Sequence, residues 1–118
     1  MLFTSSNSVF NKMEQRFKPY YLIRNQGNDV VLPDQSDLEQ YRNGSLTWSG
    51  FKVNYLAKLM RPEADEWMRR VSGEAVDQEV VLVSEENGEH YYRIFLAEMI
   101  LNMFSGRIDI RYGGELEI

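Results

Sequence analysis

Val80, Val81, Leu82 and Val83 are four apolar residues in a row, and the polar run Ser84-Glu85-Glu86-Asn87-Gly88-Glu89-His90 stops them. A second pattern starts just beyond, with Ile94, Leu96, Ala97, Ile100 and Leu101 near the i, i+3, i+4, i+7 spacing of a helix face. A short unbroken apolar run suits a strand buried on both faces, the usual situation in a parallel sheet covered by helices. Such sheets bind ligands in the crevice beyond the carboxyl ends of their strands. The loop 84–93 is therefore the expected site.

The remaining pattern supplies partners for that strand. Leu2-Phe3-Thr4 reads as a short first strand, and Ser5-Ser6-Asn7-Ser8 as a turn able to cap a helix. Val9, Phe10, Met13 and Phe17 predict a helix over 8–17, ended by Pro19, because the residue before a proline avoids the helical region. Tyr20-Tyr21-Leu22-Ile23 predicts a second strand landing at Arg24. After a polar turn, Val30-Val31-Leu32 leads to Pro33; a helix over 34–41 then stops at Asn43-Gly44. Thr47 caps a helix over 48–60 with Trp48, Phe51, Tyr55, Leu56 and Leu59 on one stripe. Pro62 opens another helix that buries Ala64, Trp67, Met68 and Val71, with 73–78 as a link to the apolar strand. Helix then runs to Asn102, and Arg107-Ile108-Asp109-Ile110-Arg111 alternates like an edge strand. The polar tail 113–118 is expected to be loose. The order predicts an α/β fold: one small three-layer domain over 1–118, with a short, mostly parallel sheet flanked by helices.

Composition narrows the function classes. With 118 residues and a 43% apolar share, one core is within reach without staples. Thirteen basic against 18 acidic residues give a net charge of −5, which argues against broad nucleic-acid binding. The absence of cysteine excludes disulfides, thiol catalysis and cysteine-bound metal, and fits a reducing compartment. No apolar run is long enough for a membrane span and no signal-type block opens the chain, so a cytoplasmic location is expected, without membrane association.

Leu32-Pro33, Leu38-Glu39-Gln40-Tyr41-Arg42-Asn43-Gly44, Trp48, Phe51 and the Tyr55-Leu56 pair resemble the middle of the domain-of-unknown-function family 488. Members of that family continue with a strand ending in Leu-Leu-Cys, a loop carrying Glu, and a Cys-His-Arg triplet that opens the next helix. Here Leu82-Val83-Ser84, Glu85 or Glu86, and Tyr91-Tyr92-Arg93 stand at those places, and Leu96-Ala97-Glu98 is similar to the family's Leu-Ala-Glu. The resemblance covers roughly residues 32–101, with a looser likeness at the first strand and at 21–24. It implies a small α/β scaffold. Ser84, Tyr91 and Tyr92 stand where the family has its Cys and His, so the resemblance implies that any chemistry borne by those residues is lost here, leaving Arg93 of the triplet and pointing to binding without turnover.

Arg93 is placed by the pattern in the first turn of the last long helix, where unpaired N–H groups and partial positive charge suit an anion. The competing role is a partly exposed ion pair with Glu85, Glu86 or Glu89 that shapes the loop. Arg24, at the end of the second strand, would open on the same edge as Ser84, and two converging arginines can fork a phosphate or carboxylate. Ser84 and Ser5 could add hydroxyls and Tyr92 a phenol, although Ser5 and Ser6 equally suit capping. Glu85 and Glu86 are adjacent on a strand end and point opposite ways, so at most one faces the site. His90 is the sole histidine, flanked like an exposed loop residue, and no metal-ligand spacing accompanies it. Ser84 lacks the glycines of a nucleophile elbow, and no glycine-rich phosphate loop occurs. These residues predict binding of an anionic, nucleotide-like or phosphate-bearing small molecule, with no cofactor, no metal and no catalytic residue assigned. The alternatives are a protein-interaction module that uses an acidic face, and an enzyme with Glu85 or Glu86 as base and Arg93 as clamp.

Overall fold

A computed structural model describes residues 1–13, 16–85, 92–104 and 110–117. Four strands, β1 (Leu2–Ser6), β2 (Lys18–Tyr21), β3 (Val80–Ser84) and β4 (Tyr112–Glu115), form one sheet in the order β2-β3-β1-β4. All three pairings are parallel, with Ser6 beside Ser84 at the end of the β1–β3 register. β3 is buried along its whole length between β1 and β2, as its unbroken apolar run predicts. The helices are α1 (Asn7–Phe10), α2 (Gln35–Arg42), α3 (Trp48–Leu59), α4 (Pro62–Asp77) and α5 (Tyr92–Phe104).

Side chains of β3 alternate between two packed layers, which is why neither face of this strand can be polar. Val80 and Leu82 join the larger cluster, with Leu2, Phe51, Tyr55, Leu59, Trp67, Met68, Leu96 and Ile100. Val81 and Val83 join the smaller one on the opposite face, with Phe10 and Phe17. The smaller layer is thin, since α1 has four residues where the apolar spacing predicts a helix over 8–17. Met13 and Phe17 still pack inward, from turns rather than from a helix.

Other differences have local causes. Pro19 lies inside β2; an edge strand tolerates the missing N–H. β2 ends at Tyr21 rather than running to Ile23, and the Leu22 amide makes one last bond to the Val83 carbonyl at 2.6 Å. Residues Asp29–Val31 form a 3-10 turn that buries Val31. The 73–78 link is the end of α4, which continues to Asp77. On α3, Phe51, Tyr55 and Leu59 are buried but Leu56 is 39% exposed, so the inward stripe is narrower than its apolar spacing suggests.

The expected edge strand over 107–111 has its first three positions outside the described residues; Ile110 is buried and neither it nor Arg111 is in a strand. The segment expected to be a loose tail instead supplies β4. Two glycines make that possible. Gly114 has φ +100, a backbone region that side chains disfavour, and a Cβ on Gly113 would lie 2.2 Å from the Phe3 ring. Phe3 cannot yield freely, because it packs edge-on against Phe17 at 5.2 Å. Gly113→Ala is expected to destabilise the fold by about 1–3 kcal/mol, the range for forced overpacking. Chemical denaturation would show this, and a loss of β4 packing would appear in the Phe3 ring resonances.

Candidate functional site

The connection leaving β1 carries α1 across the Val81/Val83 face, whereas the one leaving β3 carries α5 across the opposite face. Between β1 and β3 the winding reverses, and sheets of this type open a crevice at such a point. Here the chain's own groups fill it. Arg93, fully buried in the first turn of α5, donates from Nη1 to Ser84 Oγ at 2.8 Å. Its Nε donates to Glu115 Oε1 at 3.0 Å and its Nη2 to Glu115 Oε2, a two-toothed fork onto the end of β4. Among the described residues the ion-pair partner of Arg93 is Glu115 from the end of β4, and the Arg93 side chain is 1% exposed rather than partly exposed; of the expected loop partners, Glu86 and Glu89 lie outside the described residues. Close by, Thr4 Oγ1 and the Tyr112 hydroxyl share a hydrogen at 2.7 Å. Burial pushes the Tyr112 phenol above its ordinary range, the Thr4 bond opposes this, and the Glu115 carboxylate adds to the rise.

The serines of β1 are similarly occupied. Ser6 caps α1 by accepting from the Val9 amide at 3.3 Å, and buried Ser5 donates to the Ser6 carbonyl at 2.8 Å. Capping is the role that the structure gives to Ser6, and the Ser5 proton is committed to the backbone.

The open space lies one strand over, beside the ends of β2 and β3. A cleft of about 190 Å³ is lined by Leu22, Ile23, Arg24, Leu32, Pro33, Gln35, Leu38, Arg42, Glu85 and Tyr92. Three residues singled out in the sequence, Arg24, Glu85 and Tyr92, meet here; Arg93, Ser84 and Ser5 do not line it. Glu86, Glu89, His90 and Tyr91 lie outside the described residues.

Arg24 stands three residues past β2 rather than at its end. Its Nη2 donates to the Pro33 carbonyl at 2.8 Å and to Gln35 Oε1 at 3.4 Å, tying the loop after β2 to the start of α2. Its Nε is buried and has no hydrogen-bond partner among the described residues. A buried donor left unpaired costs about 1–3 kcal/mol, so a group that accepts from it has a ready energetic advantage. The loop is set from below: Asn28 donates to the Tyr21 carbonyl at 3.0 Å and accepts from Trp67 Nε1 at 2.9 Å. Tyr92 forms the floor, with its hydroxyl donating to the Leu22 carbonyl at 2.9 Å.

Arg42 is the residue that the sequence reading did not single out. It ends α2, a position where a cation favours the helix dipole and where a basic residue reads as an ordinary terminus. Its nearness to Arg24 depends on how α2 folds back over the loop after β2, which no spacing rule exposes. A separate cluster, Lys18, Tyr20 and Glu74, was not foreseen either. Burial pulls the Glu74 carboxyl up, but the bonds from Lys18 and Tyr20 outweigh it and leave the group below its usual range. That cluster includes the first residue of β2, at the other end of the sheet from the cleft.

Among the described residues no group of three metal-ligating side chains gathers, and no helix is long and apolar enough to cross a membrane. No protein-family model, curated protein or solved structure matches the chain.

Proposed function

We propose that the chain is a binding domain for a small anionic molecule, held in the cleft between the loops that follow β2 and β3. The observation that carries this reading is the buried, unpartnered Nε of Arg24 on the wall of a cleft that Arg42 also lines. Two guanidinium groups at one opening suit a carboxylate or a phosphate oxygen pair, since each can offer two donors in a plane. The place agrees with the general preference of parallel sheets for ligands beyond their carboxyl ends. At about 190 Å³ the cleft is below the roughly 300–1,000 Å³ of pockets that enclose drug-sized ligands. A whole nucleotide would protrude, and only its anionic end would be enclosed.

In this reading Arg93 serves the site indirectly, by pinning β4 and the start of α5 on which Tyr92 sits. The similarity of residues 32–101 to the domain-of-unknown-function family 488 then concerns a shared scaffold, with the triplet arginine as its internal pin. The test is calorimetric titration of wild type and Arg42→Gln with inorganic phosphate, glycerol phosphate and simple carboxylates. Arg42 is exposed, so its replacement should leave stability within about 0.5 kcal/mol. Loss of one charge-assisted bond should weaken anion binding by about tenfold or more, corresponding to roughly 1.5–3 kcal/mol. Unchanged affinity in Arg42→Gln, or no anion bound by wild type, would remove the cleft as the site.

A further inference from the structure

The charges around the cleft are not all of one sign. Arg24 and Arg42 share it with Glu85, the first residue beyond β3. None of the three belongs to an ion pair among the described residues, although each faces the same small space. The cleft therefore has a cationic side and a separate anionic group that do not neutralise one another. Gln35 adds a neutral polar group, and the rest of the lining is apolar or aromatic, from Leu22, Ile23, Leu32, Pro33, Leu38 and Tyr92.

A phosphate ester satisfies only half of that arrangement. Its two negative charges would suit the guanidinium groups, yet they would also face the Glu85 carboxylate, and like charges in a confined space repel. A molecule that carries a carboxylate and an ammonium on one short frame satisfies both ends. Its carboxylate would take the free donors of Arg24 and Arg42, including the unpartnered Nε. Its ammonium would donate to Glu85, and an aliphatic side chain would lie on the leucine and proline wall. The volume of about 190 Å³ fits a free amino acid and not a peptide of several residues.

We infer that the cleft, taken as the anion site proposed above, selects a small zwitterion: a free α-amino acid with an aliphatic side chain. Recognition uses Arg24 and Arg42 for the carboxylate and Glu85 for the amine. Each polar end contributes separately, so blocking either end of the ligand should cost affinity, and each protein group should account for one of the two losses.

The experiment titrates wild type, Glu85→Gln and Arg42→Gln with L-leucine, N-acetyl-L-leucine, L-leucine amide and inorganic phosphate. Glu85 and Arg42 are exposed, so both variants should fold, and a thermal melt of each checks this. Wild type should bind L-leucine at least tenfold more tightly than its N-acetyl or amide derivative. Glu85→Gln should abolish the discrimination against N-acetyl-L-leucine, and Arg42→Gln the discrimination against the amide. If N-acetyl-L-leucine or phosphate binds wild type as tightly as L-leucine, the zwitterion inference falls while the anion cleft stands. If wild type binds none of the four probes, both fall.

Discussion

Arg93→Ala is expected to lower the unfolding free energy by about 3–5 kcal/mol, the range for breaking a buried ion pair from one side. The guanidinium is removed from water, and its pairing with the Glu115 carboxylate spans 22 residues of sequence to lock α5 against the edge strand β4. Taking away the arginine leaves a partly buried carboxylate and the Ser84 hydroxyl without their donor. Arg93→Lys should recover only part of the loss, because one ammonium cannot reach both carboxylate oxygens and Ser84 in the fork geometry. A double replacement, Arg93→Met with Glu115→Leu, should be less destabilised than the two single losses summed, since it leaves no orphaned charge. Urea denaturation of wild type, Arg93→Ala, Arg93→Lys, Arg93→Met, Glu115→Leu and the double variant measures this. A change in Arg93→Ala within about 0.5 kcal/mol, the scatter of surface substitutions, would mean that the fork carries no stability.

That expectation differs in kind from what residue 93 suggests in the sequence. Arg93 at a helix start, close to Glu85, Glu86 and Glu89, reads as a partly exposed contact whose loss would cost little. The helix start is legible because apolar spacing defines it. The partner is not, because Glu115 arrives from a segment whose Gly113-Gly114 pair looks like a loose tail. β4 exists because Gly113 can lie against the Phe3 ring and Gly114 can take a positive φ. Glycine reports freedom in a sequence, and only the neighbours show that the freedom is used for close packing.

The sheet itself was legible for a simpler reason. Val80 to Val83 can be satisfied only by burial on both sides, and that demand by itself points to a parallel strand between two others. Helix ends were less legible: the predicted helix over 8–17 has the right apolar positions, but only Phe10 reaches the layer from a helix, while Met13 and Phe17 reach it from turns. Periodicity records which side chains go inward, not the backbone that delivers them. The cleft was legible in part. Arg24, Glu85 and Tyr92 follow from the rule that strand ends make sites, whereas Arg42 enters through the fold-back of α2. The open cleft lies at the strand-end edge to which the rule points, beside β2 and β3, whereas the reversal point between β1 and β3 is filled by Arg93, Ser84 and Glu115.

Phe51→Ala and Trp67→Ala are each expected to cost about 3–5 kcal/mol, since both side chains are buried and their removal leaves a cavity that stiff neighbours cannot close. Phe51 stacks on Trp48 at 5.4 Å and meets Tyr41 and Tyr55, so its loss loosens the joint between α2 and α3. Trp67 has a second duty. Its ring lies edge-on to Tyr20 at 5.5 Å, and its Nε1 holds Asn28, which in turn holds the Tyr21 carbonyl at the root of the Arg24 loop. Trp67→Phe separates the two contributions: it keeps much of the ring volume and removes the N–H. That variant should lose less stability than Trp67→Ala, but Asn28 would lack its donor and the Arg24 loop would lose an anchor. Anion affinity should fall in Trp67→Phe under conditions where the protein remains folded, and a Phe51→Leu control of similar stability should keep it. Equal binding by the two variants would show that the cleft is held by α2 and Pro33 alone, without support from Trp67.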